Sequence, residues 1–211
     1  ADVHPRDREN RRAAERRGVD VVVIDHHQMG HEMPVCHALV NPNREDDLSG
    51  QGHLCAAGVV FMVLVATLRI LREAGHPNAR SLDLLAWLDL VALATVCDVV
   101  PLKGLNRAYV TKGLIAARHQ NNAGMAALLR VAGIGGPVTP YHFGFLLGPR
   151  INAGGRIGDA ALGSRLLTLD DAAQADEIAA KLDELNRERQ AMEAVMLAEA
   201  EAEAMAEYGT G

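Results

Sequence analysis

Asp25, His26 and His27 stand in a row directly after a β-branched run, Gly18-Val-Asp-Val-Val-Val-Ile24. Two imidazoles and a carboxylate together supply a metal ligand, a donor for phosphate and an acid that fixes a histidine tautomer. In open α/β sheets ligands gather at the carboxyl ends of strands, which favours a site here. The competing reading is a pair of half-exposed loop histidines. His27 and His31 are four residues apart beside Glu32, but Gly30 and Pro34 break any helix and the order is not H-E-x-x-H, so a helical zinc motif is excluded. A further carboxylate, Asp98, ends the apolar stretch Ala94-Thr-Val-Cys-Asp-Val-Val-Pro-Leu102. Embedded there, it must be paired, hydrogen-bonded or metal-bound, or else cap a neighbouring backbone group. Cys97 reads as a small buried filler, because oxygen-seeking metals do not favour thiolate.

Two stretches suit anions. Ser49-Gly-Gln-Gly-His53 precedes an apolar helix, whose free N–H groups and dipole attract negative charge. Cys55 occupies the third glycine position of a dinucleotide fingerprint, so a Rossmann cofactor is not indicated and a flexible helix entry is the alternative. Gly148-Pro-Arg-Ile-Asn-Ala-Gly-Gly-Arg-Ile-Gly-Asp159 sets Arg150, Asn152 and Arg156 among glycines that permit close approach, and forked guanidinium donors match phosphate. The alternative is that these arginines pair with acids such as Asp159 or Asp170.

The elements that must position these residues alternate only at the start. A polar helix over Asp7 to Arg17 feeds the strand ending at Ile24, which has the pattern of a strand buried on both faces. A second strand over Cys36 to Val40 runs into the turn Asn41-Pro42-Asn43. Helical periodicity then covers Leu54 to Ala74, Leu82 to Val96, Asn106 to His119 and Met125 to Val131. Gly133 to Pro137 break the chain, Pro140 to Leu147 resume it, and Gly154-Gly155 punctuate again. A last helix over Asp171 to Glu207 would run about 55 Å, too long for packing inside a compact domain of this size. The fold expected is α/β: a short parallel sheet remnant (18–40), a mainly helical subdomain (54–168) and a long linker helix (169–211).

The 211 residues are 49% hydrophobic and 23% charged, which is globular composition. Apolar runs such as Ala56 to Leu68 stop short of the ~20 residues a bilayer requires, so no membrane is expected. Three cysteines, Cys36, Cys55 and Cys97, lack C-x-x-C spacing and suit a reducing cytoplasm rather than disulfides or a cysteine zinc site. A net charge of −6 removes the globally basic signature of nucleic-acid binding, leaving a local groove or bound divalent metals to hold phosphate. The chain starts without Met or a signal-peptide pattern and ends on an Ala/Glu tract, and it is expected to be a fragment.

Six segments in order resemble the RecJ branch of the DHH phosphoesterase superfamily: Val21 to Gln28, Asn41 to Arg44, Leu48 to Phe61, Cys97 to Leu102, Leu147 to Ile157 and Leu185 to Gln190. Asp-His-His indicates the superfamily, and Gly-Pro-Arg-Ile-Asn-Ala points to RecJ. The resemblance implies a single-stranded-DNA exonuclease working from the 5′ end with Mn²⁺ or Mg²⁺ in DNA repair and recombination. It implies His26 and Asp98 as metal ligands, and Asp25 and His27 as catalytic residues holding the scissile phosphate. Arg150, Asn152 and Arg156 would grip the DNA backbone, with Ser49 and His53 as further phosphate contacts. Single-strand binding protein and repair helicases are implied partners, in a bacterial cytoplasm near the nucleoid. The family's D-x-D-A-D-G motif, a second upstream Asp motif and a downstream G-G-H-x-x-A-A-G domain have no counterpart here, so the two-metal site is expected to be incomplete and the chain alone inactive. Other readings are a DHH phosphoesterase acting on short oligonucleotides, cyclic dinucleotide products or pyrophosphate, and a noncatalytic nucleic-acid-binding module.

Overall fold

A computed structural model describes residues 12–31 and 33–209. Of the expected first helix, residues 12–16 are helical and the part before residue 12 lies outside the described residues. The chain divides into two compact units, Ala1–Ala116 and Ala117–Gly211.

In the first unit, β1 (Val22–Ile24) and β2 (Ala38–Val40) pair in parallel with Val23 opposite Leu39. The ladder continues into the site loop, since Asp25 N–H donates to the Val40 carbonyl at 2.9 Å. Val22 is 57% exposed, so β1 is not buried on both faces as its composition suggested; among the described residues no third strand flanks it. Helix α1 (Ala56–Glu73) begins without a side-chain cap and buries Val59, Phe61 and Leu68. Leu84–Trp87 forms a 3-10 turn before α2 (Leu88–Cys97), with Asp83 accepting from the Leu85 N–H. The helix expected from Leu82 therefore starts later, because the aspartate offers the backbone a competing turn. Helix α3 (Gly104–Ala117) contributes Tyr109, whose ring meets Phe61 edge-on at 5.5 Å within a core that includes Leu54, Leu88 and Val91. Ile24 packs against that core, which fixes the height at which Asp25 leaves the sheet.

In the second unit, Asn122 caps α4 (Ala123–Val131) through Met125 N–H, and its amide donates to the Leu167 carbonyl at 2.8 Å. A π-helical segment, His142–Leu147, runs directly into α5 (Gly148–Ile157), followed by α6 (Leu162–Leu167) and α7 (Ala172–Tyr208), which Asp171 caps. The glycine-rich stretch is thus a helix rather than a punctuated loop. A Cβ on Gly154 would sit 3.0 Å from Leu182 and one on Gly158 2.8 Å from Leu185, so these glycines let α5 press against α7. The first half of α7 buries Ala175, Ala179, Leu182 and Leu185 within the second unit. Beyond Arg189 every residue to Gly209 is exposed. No helix of the described residues is long and apolar enough to cross a membrane.

Candidate metal and phosphate site

Asp25 leaves β1 with its side chain turned back on its successors. Oδ1 accepts from the His26 N–H at 2.8 Å, the His27 N–H at 3.3 Å and the His27 ring Nδ1 at 2.7 Å. Partial burial pushes its carboxyl upward, but the hydrogen bonds from the His27 ring and the two backbone N–H groups outweigh this and hold it below the ordinary carboxylate range. As a carboxylate it can only accept, so His27 carries its proton on Nδ1 there and leaves Nε2 outward on a ring that is 67% exposed. The His26 and His27 rings lie tilted, 4.5 Å apart.

His26 points elsewhere. Its Nε2 lies 3.6 Å from Oδ2 of Asp98, the residue that caps the C-terminus of α2. Asp98 is 40% exposed, so it is not the carboxylate embedded in apolar surroundings that its neighbours suggested. Val99, beside it, sits at φ 56° and is 88% exposed, a left-handed conformation uncommon for a β-branched residue. Cys97 is half-buried rather than a fully buried filler, and burial together with the Asp98 charge pushes its thiol up to about 11, which keeps it a neutral thiol at pH 7.

Three asparagines hold this loop cluster together. Asn43 Nδ2 donates to the His26 carbonyl at 2.7 Å and the Gly52 carbonyl at 3.0 Å, while its Oδ1 accepts from Gln28. Asn41, 2% exposed, donates to the His27 carbonyl at 3.0 Å and accepts from the Asn43 N–H. A Cβ on Gly52 would fall 2.4 Å from Asn43 Oδ1, so the second glycine of Gly50-Gln-Gly52 is where the asparagine passes. Asn106, fully buried, donates to the carbonyls of His53 and Pro101, joining the start of α1 to the segment after Asp98. In the sequence Asn41-Pro-Asn43 is a turn and part of a segment that carries the resemblance, and Asn106 does not stand out, because the carbonyls these amides bind lie elsewhere in the chain.

The other expected contacts are placed as follows. Ser49 donates its hydroxyl to Asp47 at 2.5 Å, within a turn whose N–H also points to that carboxylate. His53 has a buried Nε2 with no partner among the described residues, facing the start of α3 near Gly104. In the second unit Arg150 is enclosed: its guanidinium meets Asp183 at 2.8–2.9 Å and the Leu146 carbonyl at 2.7 Å, with both charged side chains below a fifth exposed. Its partner is therefore neither Asp159 nor Asp170, and Arg165 is the cation near Asp159. Asn152 and Arg156 are exposed on α5.

One imidazole nitrogen and one carboxylate oxygen 3.6 Å apart can share a divalent ion whose bonds are about 2.0–2.2 Å. No group of three or more His, Cys, Asp or Glu able to hold a metal occurs among the described residues, so this donor pair fits part of one ion's shell and offers nothing for a second.

The family described as DHH family, N-terminal domain, matches residues 1–95. The chain is 42% identical over 192 residues to the single-stranded-DNA-specific exonuclease RecJ of Dickeya dadantii, covering 89% of this chain and 33% of that protein. It is 36% identical over 190 residues to the Bacillus subtilis protein of the same name, covering 90% and 23%. The chain thus spans a third or less of the length of these relatives. Among solved structures, exonuclease RecJ bound to manganese is similar with a TM-score of 0.75 at 34% identity, covering 91% of this chain and 46% of that one. RecJ of Thermus thermophilus in complex with Mn²⁺ gives 0.75 at 35% identity, covering 89% and 27%, and the same protein has been solved with Mg²⁺.

Proposed function

We propose that the chain, which is similar to RecJ exonucleases over most of its length and matches the DHH family over residues 1–95, carries part of the catalytic centre of a metal-dependent nuclease that removes nucleotides from the 5′ end of single-stranded DNA. The observation that carries this reading is the approach of His26 to Asp98 across seventy-odd residues of sequence, beside a histidine that Asp25 anchors. His26 and Asp98 would hold a Mn²⁺ or Mg²⁺ ion as two of its ligands. Such an ion neutralises charge on the phosphate oxygens and makes water a stronger nucleophile at neutral pH.

This chain's own residues do the positioning. Asp25 fixes the His27 ring so that Nε2 faces outward, where in the imidazolium form it donates to a phosphate oxygen. Asn43 and Asn41 hold the carbonyls behind both histidines, so the rings keep their direction without drawing on the sheet alone. Phosphate contacts carry no sequence information, so cleavage by a site that grips phosphate would be sequence-independent. A two-ion centre would take its remaining carboxylates from outside the described residues, and the chain alone would turn over poorly. Single-strand binding protein, repair helicases and a nucleoid setting during DNA repair and recombination belong to the same reading.

Mn²⁺ titration by electron paramagnetic resonance tests the ligand assignment on this chain directly. His26→Ala and Asp98→Ala should each abolish the tightest binding while far-UV circular dichroism stays unchanged, and unaltered Mn²⁺ affinity in either variant would remove the assignment. A polypeptide extended to the relatives' full length should then degrade 5′-labelled single strands in the wild-type form and not with either substitution.

A further inference from the structure

The chain has only seven aromatic residues, three Phe, three Tyr and one Trp, and three of them fall within five positions of the second unit: Tyr141, Phe143 and Phe145. Phe143 is fully buried and anchors the π-helical segment. The other two face solvent: Tyr141 is 59% and Phe145 69% exposed, and their rings stack on each other with centroids 5.1 Å apart and planes 22° from parallel. Exposing two large rings forgoes the burial that normally stabilises them, and π-helical turns recur at functional sites. The stretch 140–157 contains no Asp or Glu, in a chain with 27 of them. Further along the same helix Asn152 and Arg156 are exposed, and Arg156 has no ion pair with any other described residue. From Phe145 to Arg156 is about 16 Å of helix. A flat aromatic surface continued by an amide and an unpaired cation is the combination that single strands favour, because every base offers a π-face and every linkage a charge.

We propose that Tyr141 and Phe145 form a stacking platform for a base of single-stranded DNA, with Asn152 and Arg156 meeting the adjoining backbone. This rests on the nuclease reading for its ligand class but concerns residues outside the metal site. Stacking explains how a strand with unpaired bases is told from a duplex, whose bases have no free face.

The test is fluorescence anisotropy with this chain at low salt, comparing labelled oligo-dT with an abasic strand of equal length. Wild-type chain should prefer oligo-dT, and Tyr141→Ala and Phe145→Ala should each weaken oligo-dT binding about 5- to 150-fold while leaving abasic binding unchanged. Tyr141→Phe and Phe145→Trp should retain affinity, which separates stacking from a folding defect. Salt-dependent binding that is equal for both strands and indifferent to these substitutions would overturn the platform and leave the nuclease reading standing. No binding of either strand would overturn both. A chain that sediments as a dimer, becomes monomeric on Phe145→Ala and binds DNA unchanged would show that a second copy covers the rings.

Discussion

Replacing Asn43 with Ala tests whether the loop behind the two histidines is held by side chains or by the sheet. The substitution removes two hydrogen bonds to backbone carbonyls, those of His26 and Gly52, and one from exposed Gln28. Water can replace the Gln28 contact, whereas the two carbonyls are partly buried, and each lost bond costs about 1 kcal/mol. The expected destabilisation of the first unit is about 2 kcal/mol. Trp87, the sole tryptophan, lies in that unit, so urea unfolding followed by its fluorescence reads the relevant transition. Because outer hydrogen bonds orient ligands, Mn²⁺ affinity should fall about 10- to 100-fold at the same time. Gly52→Ala supplies an independent route to the same end. Its Cβ would displace Asn43 without deleting it, so both readouts should move in the same direction. If Asn43→Ala costs under about 0.5 kcal/mol and leaves Mn²⁺ binding unchanged, the clamp has no part in holding His26 and the reasoning fails.

Arg150→Ala leaves Asp183 with the more exposed Arg187 as its remaining ion-pair partner, and the second unit should lose about 2–3 kcal/mol, less than a wholly unpaired buried charge would cost; an unchanged thermal transition would contradict the enclosed pairing. Val99→Gly relieves a left-handed strain of about 1–2 kcal/mol and gives back about half of it as unfolded-chain entropy. A small net stabilisation in urea is expected, and a destabilised variant would refute it. Asp89, 2% exposed, has its carboxyl raised by burial, which outweighs the Leu90 N–H that lowers it. The folded state therefore holds this proton more tightly than the unfolded one, and the aspartate costs stability as pH climbs from about 4 through the raised value. Asp89→Asn should show an advantage over wild type that grows across that window and then levels off; a pH-independent difference would exclude the linkage.

What could be read from the sequence was whatever a single residue type or a local period determines. The Asp-His-His run after a β-branched strand and the start and length of the last helix depend on neighbours in the chain, and the structure has each of them. Asp98 stood out as a carboxylate among apolar neighbours, but its 40% exposure and the approach of His26 Nε2 to 3.6 Å depend on the loop that brings residues 26 and 98 together. Close packing, in contrast, is a property of pairs. Gly154 and Gly158 look like loop residues until Leu182 and Leu185 arrive beside them. Arg150 looks free until Asp183 does. The roles of Asn43 and Asn106 depend on carbonyls 9 and 53 residues away, respectively, and no local pattern announces them. Val99 carries no sequence mark of its left-handed backbone, since Val ordinarily avoids it.

The bare half of α7 behaves mechanically as a cantilever. Its last residue that is not exposed is Arg189, and from there to Tyr208 the helix packs on no other described residues. At 1.5 Å per residue this arm is about 28 Å long, so a tilt of about 10° at its root sweeps the tip through about 5 Å. Sub-ångström repacking among Leu182, Leu185 and the glycines of α5 is thereby magnified at the far end. The same helix–glycine contact that makes the second unit dense also sets the aim of the arm, and a bulkier residue at Gly158 would redirect it.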